Sequence, residues 1–262
     1  MDRAGGRLLD GSLTAVSAPL DARVLVVLPA WNEREALPIV LAEIREHLPG
    51  VAVLVVDDGS HDGSSALARA NGVDVLQLPF NLGVGGAMRA GFRYALEQGH
   101  EIVVQVDADG QHDPRDVPRI VERLADADVV IGARFAGTGQ YEARGPRRWA
   151  MWLLAGVLSR VASTRLTDTT SGFRGAGPRA VELFAFHYPA EYLGDTVESL
   201  VLAARNGLRI EQIGVSMRER SAGRPSQSPF KATVYLARAC LALAVSLLRR
   251  RERIVPSEAA VV

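Results

Sequence analysis

Two carboxylates one residue apart, Asp107 and Asp109, close the apolar run Val103-Val104-Gln105-Val106, and Gly110-Gln111-His112-Asp113-Pro114 follows them. Carboxylates at the edge of a core are costly unless something positive sits among them. Two hard oxygen ligands with room for water and phosphate oxygens suit Mg²⁺ or Mn²⁺. Asp107-Ala108-Asp109 is expected to alternate along an extended segment, so that both carboxylates project to the same side. Gln111 offers a further oxygen, either to the metal or around it. The competing reading is an Asx turn that caps a helix beginning near Pro114. Asp113, just ahead of a proline at the first helical position, already fits that capping place. His112 is expected to be structural rather than a ligand.

Other polar residues stand where they could join such a site. Val55-Val56-Asp57-Asp58-Gly59-Ser60 is a strand that stops at two acids, which can accept from ribose hydroxyls or a base edge. Its plain alternative is a turn with a helix cap, for which Asp62 is available. Asn81-Leu82-Gly83-Val84-Gly85-Gly86 opens a helix, but its glycine spacing fits neither the dinucleotide fingerprint nor the phosphate-binding P-loop. Its backbone N–H groups suit a diphosphate, and tight helix–strand packing explains the glycines equally well. Arg134, Arg147, Arg148 and Arg174 are candidate phosphate clamps, because a guanidinium fork matches phosphate oxygens. Arg220 and Arg224 lie in a Gly/Pro-rich stretch that could close over a diphosphate. Asp195 and Glu198 begin a late helix, either as acids favoured by the helix dipole or as site acids facing an acceptor.

These residues need a frame. Strand-like runs at 23–29, 51–56, 73–78, 102–106 and 128–131 alternate with helical segments at 33–47, 62–71, 85–98 and 114–124. Such alternation predicts an α/β fold with a mostly parallel sheet covered on both faces. Ligands of such sheets bind beyond the carboxyl ends of the strands, where the acids and Arg134 stand. The second half is less regular: a long apolar segment at 147–163, a polar loop at 167–174, a helix at 197–206 and a strand at 209–217. The expected organisation is a flexible leader at 1–21, one catalytic domain at 22–228, an amphipathic helix at 229–251 and a tail at 252–262. The longest apolar stretch, Ala232 to Leu248, contains Arg238 and is followed by Arg249-Arg250-Arg251. It is short for a spanning helix, so it is expected either to pack on the domain or to lie on a membrane surface with its arginines at anionic head groups. Of 262 residues 48% are hydrophobic, enough for a sizeable core. Lys+Arg and Asp+Glu are equal at 30 each, so no overall field favours nucleic acid. The lone Cys240 excludes an intramolecular disulfide, and with no signal peptide read at the start the expected place is the cytoplasm.

Taken in order, Pro29-Ala30-Trp31-Asn32-Glu33, Asp57-Asp58-Gly59-Ser60, Asn81-Leu82-Gly83, Asp107-Ala108-Asp109-Gly110-Gln111-His112-Asp113-Pro114, Gly132-Ala133-Arg134 and Thr170-Ser171-Gly172-Phe173-Arg174 resemble the family 2 glycosyltransferases of the GT-A fold. The resemblance spans about residues 23 to 220 and is strongest to the polyprenyl-phosphate branch, relatives of dolichyl-phosphate mannosyltransferase. It implies a nucleotide-sugar donor, GDP- or UDP-linked, and inversion at the anomeric carbon. Asp57 and Asp58 would hold the nucleoside, with Pro29, Ala30, Asn32, Glu33, Asn81 and Gly83 around it. Asp107, Asp109 and Gln111 would hold the metal on the diphosphate, beside Ala108. Arg134 and Arg148 would contact the acceptor's phosphate. The chain departs from that branch at Gly110, where several relatives carry another residue, and in its loose match over Arg218 to Ser226.

An ionised polyprenyl-phosphate oxygen needs no general base, only arginines to place it. A hydroxyl acceptor, as on a glycan of the cell envelope, needs a carboxylate to take its proton, and Asp195, Glu198 and Glu191 are the candidates. A catalytically silent nucleotide-sugar-binding or scaffold protein would have no reason to keep Asp107 with Asp109. A nucleotidyltransferase would want a Gly-rich basic loop after the first strand, where Trp31-Asn32-Glu33-Arg34-Glu35 stands instead.

Overall fold

The computed structural model describes residue 20 and residues 23–134, 146–190 and 195–218, with the helix backbone alone at 146–152. The expected leader (Leu20 apart), the stretch with Arg220 and Arg224, the expected 229–251 helix and the tail lie outside the described residues.

Among the described residues seven strands form one sheet: β1 (Val24–Ala30), β2 (Ala52–Asp57), β3 (Asp74–Gln77), β4 (Ile102–Gln105), β5 (Val129–Ala133), β6 (Arg174–Ala176) and β7 (Ile210–Gly214). Their order is β3-β2-β1-β4-β6-β5-β7. β1 pairs in parallel with both β2 and β4, and β5 with β7. β6 alone runs antiparallel, wedged between β4 and β5. The chain winds outward from β1 in both directions, so the carboxyl ends of β1 and β4 flank a switch point where such sheets bind ligands.

Period-two alternation sorts the strand side chains between two apolar layers. Leu25 and Val27 of β1 face a cluster with Met88, Phe92, Phe184 and Leu200. Val24, Val26 and Leu28 face one with Leu37, Val40, Ile44 and Ile120. The first layer is built by α3 (Gly83–Glu97), α5 (Pro146–Val161), α6 (Pro178–His187) and α7 (Asp195–Arg205), the second mainly by α1 (Leu37–His47) and α4 (Val117–Arg123), with the short α2 (Ser64–Ala70) beside β2 and β3. Phe92, Phe184 and Tyr188 meet with ring centroids 5.2–5.3 Å apart and lock α3 to α6.

The expected strands and the late helix form, with ends shifted by a few residues. The expected first helix begins later, at Leu37, because residues 34–36 form a turn whose Arg34 N–H donates to Asp62 Oδ2 at 3.0 Å. The expected helix from Pro114 is a single 3₁₀ turn (Pro114–Asp116) running into α4, and Asp113 caps it by accepting from the Arg115 N–H. β6 and α6 were not anticipated. Among the described residues no helix is long and apolar enough to cross a membrane.

Candidate active site

β2 carries its terminal carboxylates into a crowded corner. Asp57 is buried, and its Oδ1 accepts from the Ser60 N–H at 3.0 Å. Asp58 is also buried, and its two oxygens accept from the N–H groups of Leu82 and Gly83 at 2.7 and 2.8 Å. The start of α3 has no cap of its own, so Asp58 supplies one from another loop, a role the sequence did not suggest. Burial pushes the Asp58 carboxyl up; those two N–H donors oppose it without cancelling it. The turn between β2 and α2 fits because Gly59 has φ +73 and lies against residues 80–81, where a Cβ would come within 2.8 Å of the Phe80 carbonyl carbon.

The loop after β1 is tied to the same corner. Pro29 and Ala30 end the strand, and the Ala30 carbonyl accepts from the Asp58 N–H at 2.9 Å. Asn32, with φ 55, donates its N–H to Ser60 Oγ and accepts from the His61 N–H, both at 2.9 Å. The Glu33 N–H donates to Ser64 Oγ at 3.1 Å. Asn32, Glu33, Asp57, Asp58 and Gly83 are thereby brought together, and Asn81 adjoins them through its neighbours.

β4 ends at Gln105, and residues 108–110 turn, with Gly110 at φ +80. The expected extended alternation through Asp107-Ala108-Asp109 is thus replaced by a turn, because the ladder ends at Gln105, with the Val106 N–H bonded to the Val27 carbonyl as its last link to β1. Asp107 is partly exposed: Gln105 Nε2 donates to its Oδ1 at 3.0 Å, and His112 Nε2 lies 3.6 Å from its Oδ2. Asp109 and Ala108 are buried, and Asp109 Oδ1 accepts from the Gln111 N–H at 3.0 Å. His112 is structural, as expected. It is buried, its ring stacks on Phe173 with centroids 4.7 Å apart, and its Nδ1 accepts from the Asp107 N–H at 3.0 Å.

Gly172 leaves the space beside Asp107 open: a Cβ there would sit 3.2 and 3.3 Å from the two carboxylate oxygens. Hard oxygens with a cleared flank fit a divalent cation. Among the described residues no three His, Cys, Asp or Glu side chains converge to hold an ion by themselves. Asp107, Asp109 and the Gln111 amide would therefore share it with a ligand's phosphates, the manner usual for Mg²⁺.

Arg134 follows β5. Its Nε and Nη2 reach the two oxygens of Asp168 at 2.7 and 2.9 Å, its N–H donates to Asp168 at 3.2 Å, and Nη2 also reaches Thr170 Oγ1 at 2.9 Å. Asp168 is fully buried, whereas the Arg134 side chain keeps 31% of its exposure. Burial works to raise the Asp168 carboxyl, and the Arg134 guanidinium more than offsets this, so it stays below the ordinary carboxylate value. Asp168 was missed in the sequence because it stands 34 positions from its partner; the only signal was the unusually polar run Thr167 to Arg174.

Arg174 corrects an expectation. Rather than clamping phosphate, it is buried at the start of β6, donating to the carbonyls of Ser171, Thr169 and Thr196 and to Ser199 Oγ at 2.7–3.0 Å. It ties the 168–173 loop to α7, because a buried guanidinium must spend its donors on whatever acceptors surround it. Arg148 falls in the first turn of α5, and its side chain lies outside the described residues, as do Arg220, Arg224 and Glu191.

Asp195 opens α7 against α3: a Cβ built on Gly85 would come within 3.0 Å of the Asp195 Cβ. Burial pushes its carboxyl up and the Asp107 charge adds to this; the Arg174 guanidinium acts in the opposite direction. Glu198 shares the first turn of α7, where the helix dipole favours an acid.

A doubly flanked, mostly parallel sheet with acids at the end of β2 and just beyond β4, and a gripped arginine after β5, has the architecture of the GT-A fold. Glucosyl-3-phosphoglycerate synthase from Mycobacterium tuberculosis, solved with Mn²⁺, UDP and glucosyl-3-phosphoglycerate, superposes with TM-score 0.63 at 22% identity, covering 87% of this chain and 81% of that one. Mannosyl-3-phosphoglycerate synthase from Rubrobacter xylanophilus gives 0.64 at 18% identity, covering 89% and 77%. The glycosyl transferase family 2 profile matches residues 25–180, and the chain belongs to that family. It is 36% identical to undecaprenyl-phosphate mannosyltransferase of Micrococcus luteus over 79% of this chain and 88% of the relative. It is 31% identical to polyprenol monophosphomannose synthase of Mycolicibacterium smegmatis over 77% and 79%. The chain is thus a glycosyltransferase, and the branch inferred from its motifs is the one its relatives occupy.

Proposed function

We propose that the chain transfers a hexosyl group, mannose being the first candidate, from a nucleoside-diphosphate sugar to a polyprenyl phosphate, with inversion. The observation that carries this is one loop touching both halves of the site. Asp168 and Thr170 hold Arg134, and Gly172, two residues on, lies against the Asp107 carboxylate. A cationic anchor for an acceptor phosphate is therefore built next to the acids suited to the donor's diphosphate. Relatives named for undecaprenyl phosphate and polyprenol support the acceptor class.

A divalent metal at Asp107, Asp109 and Gln111 would supply positive charge to the departing diphosphate; solved structures of the fold hold Mn²⁺ or Mg²⁺ with UDP. The residues of the chain do the remainder. Arg134, fixed by Asp168, orients the acceptor phosphate. One of its ionised oxygens bonds to the anomeric carbon as the bond from that carbon to the diphosphate breaks. The nucleoside diphosphate leaves with the electron pair, and no proton moves. The corner formed by Asn32, Glu33, Asp57 and Asp58 holds the nucleoside. The lipid acceptor implies work at the cytoplasmic face of a membrane, with peripheral contact.

A second reading, a hydroxyl acceptor with Asp195 as base, is favoured by the upward push on that carboxyl. A screen of GDP- and UDP-sugars against a short polyprenyl phosphate, with Mn²⁺ or EDTA, tests the proposal. Metal-dependent formation of a polyprenyl-phosphate sugar is expected. Transfer confined to glycan hydroxyls would refute it.

A further inference from the structure

After β7 the chain is held residue by residue, first to the end of β5 and the 3₁₀ turn and then to the loop that bears Asp107 and Asp109. The Val215 N–H donates to the Ala133 carbonyl at 3.1 Å, and the Ser216 N–H to Asp116 Oδ2 at 3.0 Å. Met217 bridges to His112. The Arg218 N–H donates to the Gln111 carbonyl at 3.0 Å. The Arg218 side chain then reaches two further elements. Nη1 donates to both oxygens of Glu43 on α1 at 2.8 Å, and Nη2 lies 2.8 Å from Asp113 Oδ2. Asp113 is buried; burial works to raise its carboxyl, but Arg115 and Arg218 hold it well below the ordinary range.

We propose that Arg218 is a positioning residue for the donor-diphosphate site. The inference rests on the metal reading of Asp107, Asp109 and Gln111 given above. The 107–113 loop has left the sheet, turns at Gly110, and among the described residues pairs with other strand-like chain only at the His112–Met217 bridge. The Arg218 side chain ties the far end of that loop at Asp113 to Glu43 on α1, next to the point where its backbone N–H holds Gln111. The rigid guanidinium fork meets two carboxylates on different elements at once from separate nitrogens, which the single ammonium of a lysine on a flexible stem reproduces less well.

The test compares the full chain with Arg218→Met and Arg218→Lys, titrating GDP and UDP calorimetrically in Mn²⁺ and in EDTA. Affinity in Mn²⁺ is expected to fall about tenfold for Arg218→Met, as when the outer support of a metal ligand is lost, with Arg218→Lys between it and the parent. Affinity in EDTA should not change, because the nucleoside corner at Asp57 and Asp58 is built by other elements. Equal loss in Mn²⁺ and EDTA, or no loss in either, overturns the proposal, since a merely structural ion network would not discriminate. If Arg218→Met does not fold, Glu43→Gln removes one arm only and must show a smaller loss, again in Mn²⁺ alone. If the parent chain binds neither nucleotide better with Mn²⁺, the metal reading itself falls and takes this role with it.

Discussion

Replacing Asp168 by Asn should cost both stability and acceptor use, and the size of each follows from the structure. Asp168 is fully buried and accepts from the Arg134 N–H, Nε and Nη2 and from Thr170 Oγ1. Removing one partner of a buried pair costs about 3–5 kcal/mol. Two features lower that figure: Arg134 keeps 31% of its side-chain exposure, so water recovers part of its charge, and the amide oxygen of Asn still accepts one bond. A loss of about 2 kcal/mol remains, near the value of one hydrogen bond to a charged group. In a domain of this size that lowers Tm by about 4–8 °C. The same change should alter the acid limb of stability. The folded carboxyl lies below its ordinary value of 3.8, so its contribution is complete above that pH and is lost as pH falls through the lower folded value. The variant should lack that loss, and the two stability–pH curves should converge in acid. With the bidentate anchor reduced to one amide bond and the Thr170 hydroxyl, the guanidinium is held less firmly, and kcat/KM for polyprenyl phosphate should fall about 10²-fold, the cost of a misplaced group. Thermal melts from neutral pH to pH 3 and steady-state kinetics read all three. A variant with parental Tm and parental kcat/KM for the acceptor would refute the reasoning.

Other substitutions separate the parts of the site. Asp109→Asn should abolish metal-dependent transfer with the fold intact by circular dichroism; full activity would remove the metal assignment. Arg134→Ala should raise KM for the acceptor more than it weakens donor binding in titrations; equal losses would count against the clamp. Gly172→Ala should weaken Mn²⁺–nucleotide binding about tenfold, since its Cβ would stand 3.2 Å from an Asp107 oxygen. Gly59→Ala should destabilise by about 1–3 kcal/mol in urea melts, because φ +73 and the backbone at Phe80 both oppose a side chain.

Much of this fold is legible because β1, β2, β4 and β5 are largely β-branched runs followed closely by polar residues, and buried parallel strands read that way. The acids at Asp57, Asp58, Asp107 and Asp109 and the arginine at Arg134 were found from those endings. What escaped depends on distance along the chain. β6 is three residues long and antiparallel, with Arg174 at its head, so it resembled a polar loop. Asp168 has meaning only beside Arg134, and Asp58 caps α3 only because Gly59 lets two loops touch. The sequence suggests a phosphate role for Arg174 because an arginine in a polar loop carries no sign of the carbonyls that surround it in the fold. The turn at Asp109 was hidden because an apolar run does not reveal where its sheet partners stop.

The central claim is transfer to a phosphate oxygen placed by Arg134 beside a metal-held diphosphate. The most direct measurement offers the full chain one nucleotide-sugar identified by the donor screen, with either a short polyprenyl phosphate or the matching polyprenol, in Mn²⁺ and in EDTA. Product should form from the phosphate in Mn²⁺ alone, at a rate that does not fall when Asp195 is replaced by Asn at constant folding. Glycosylation of the polyprenol at a comparable rate, lost in Asp195→Asn, would contradict the account and establish a hydroxyl acceptor with a carboxylate base.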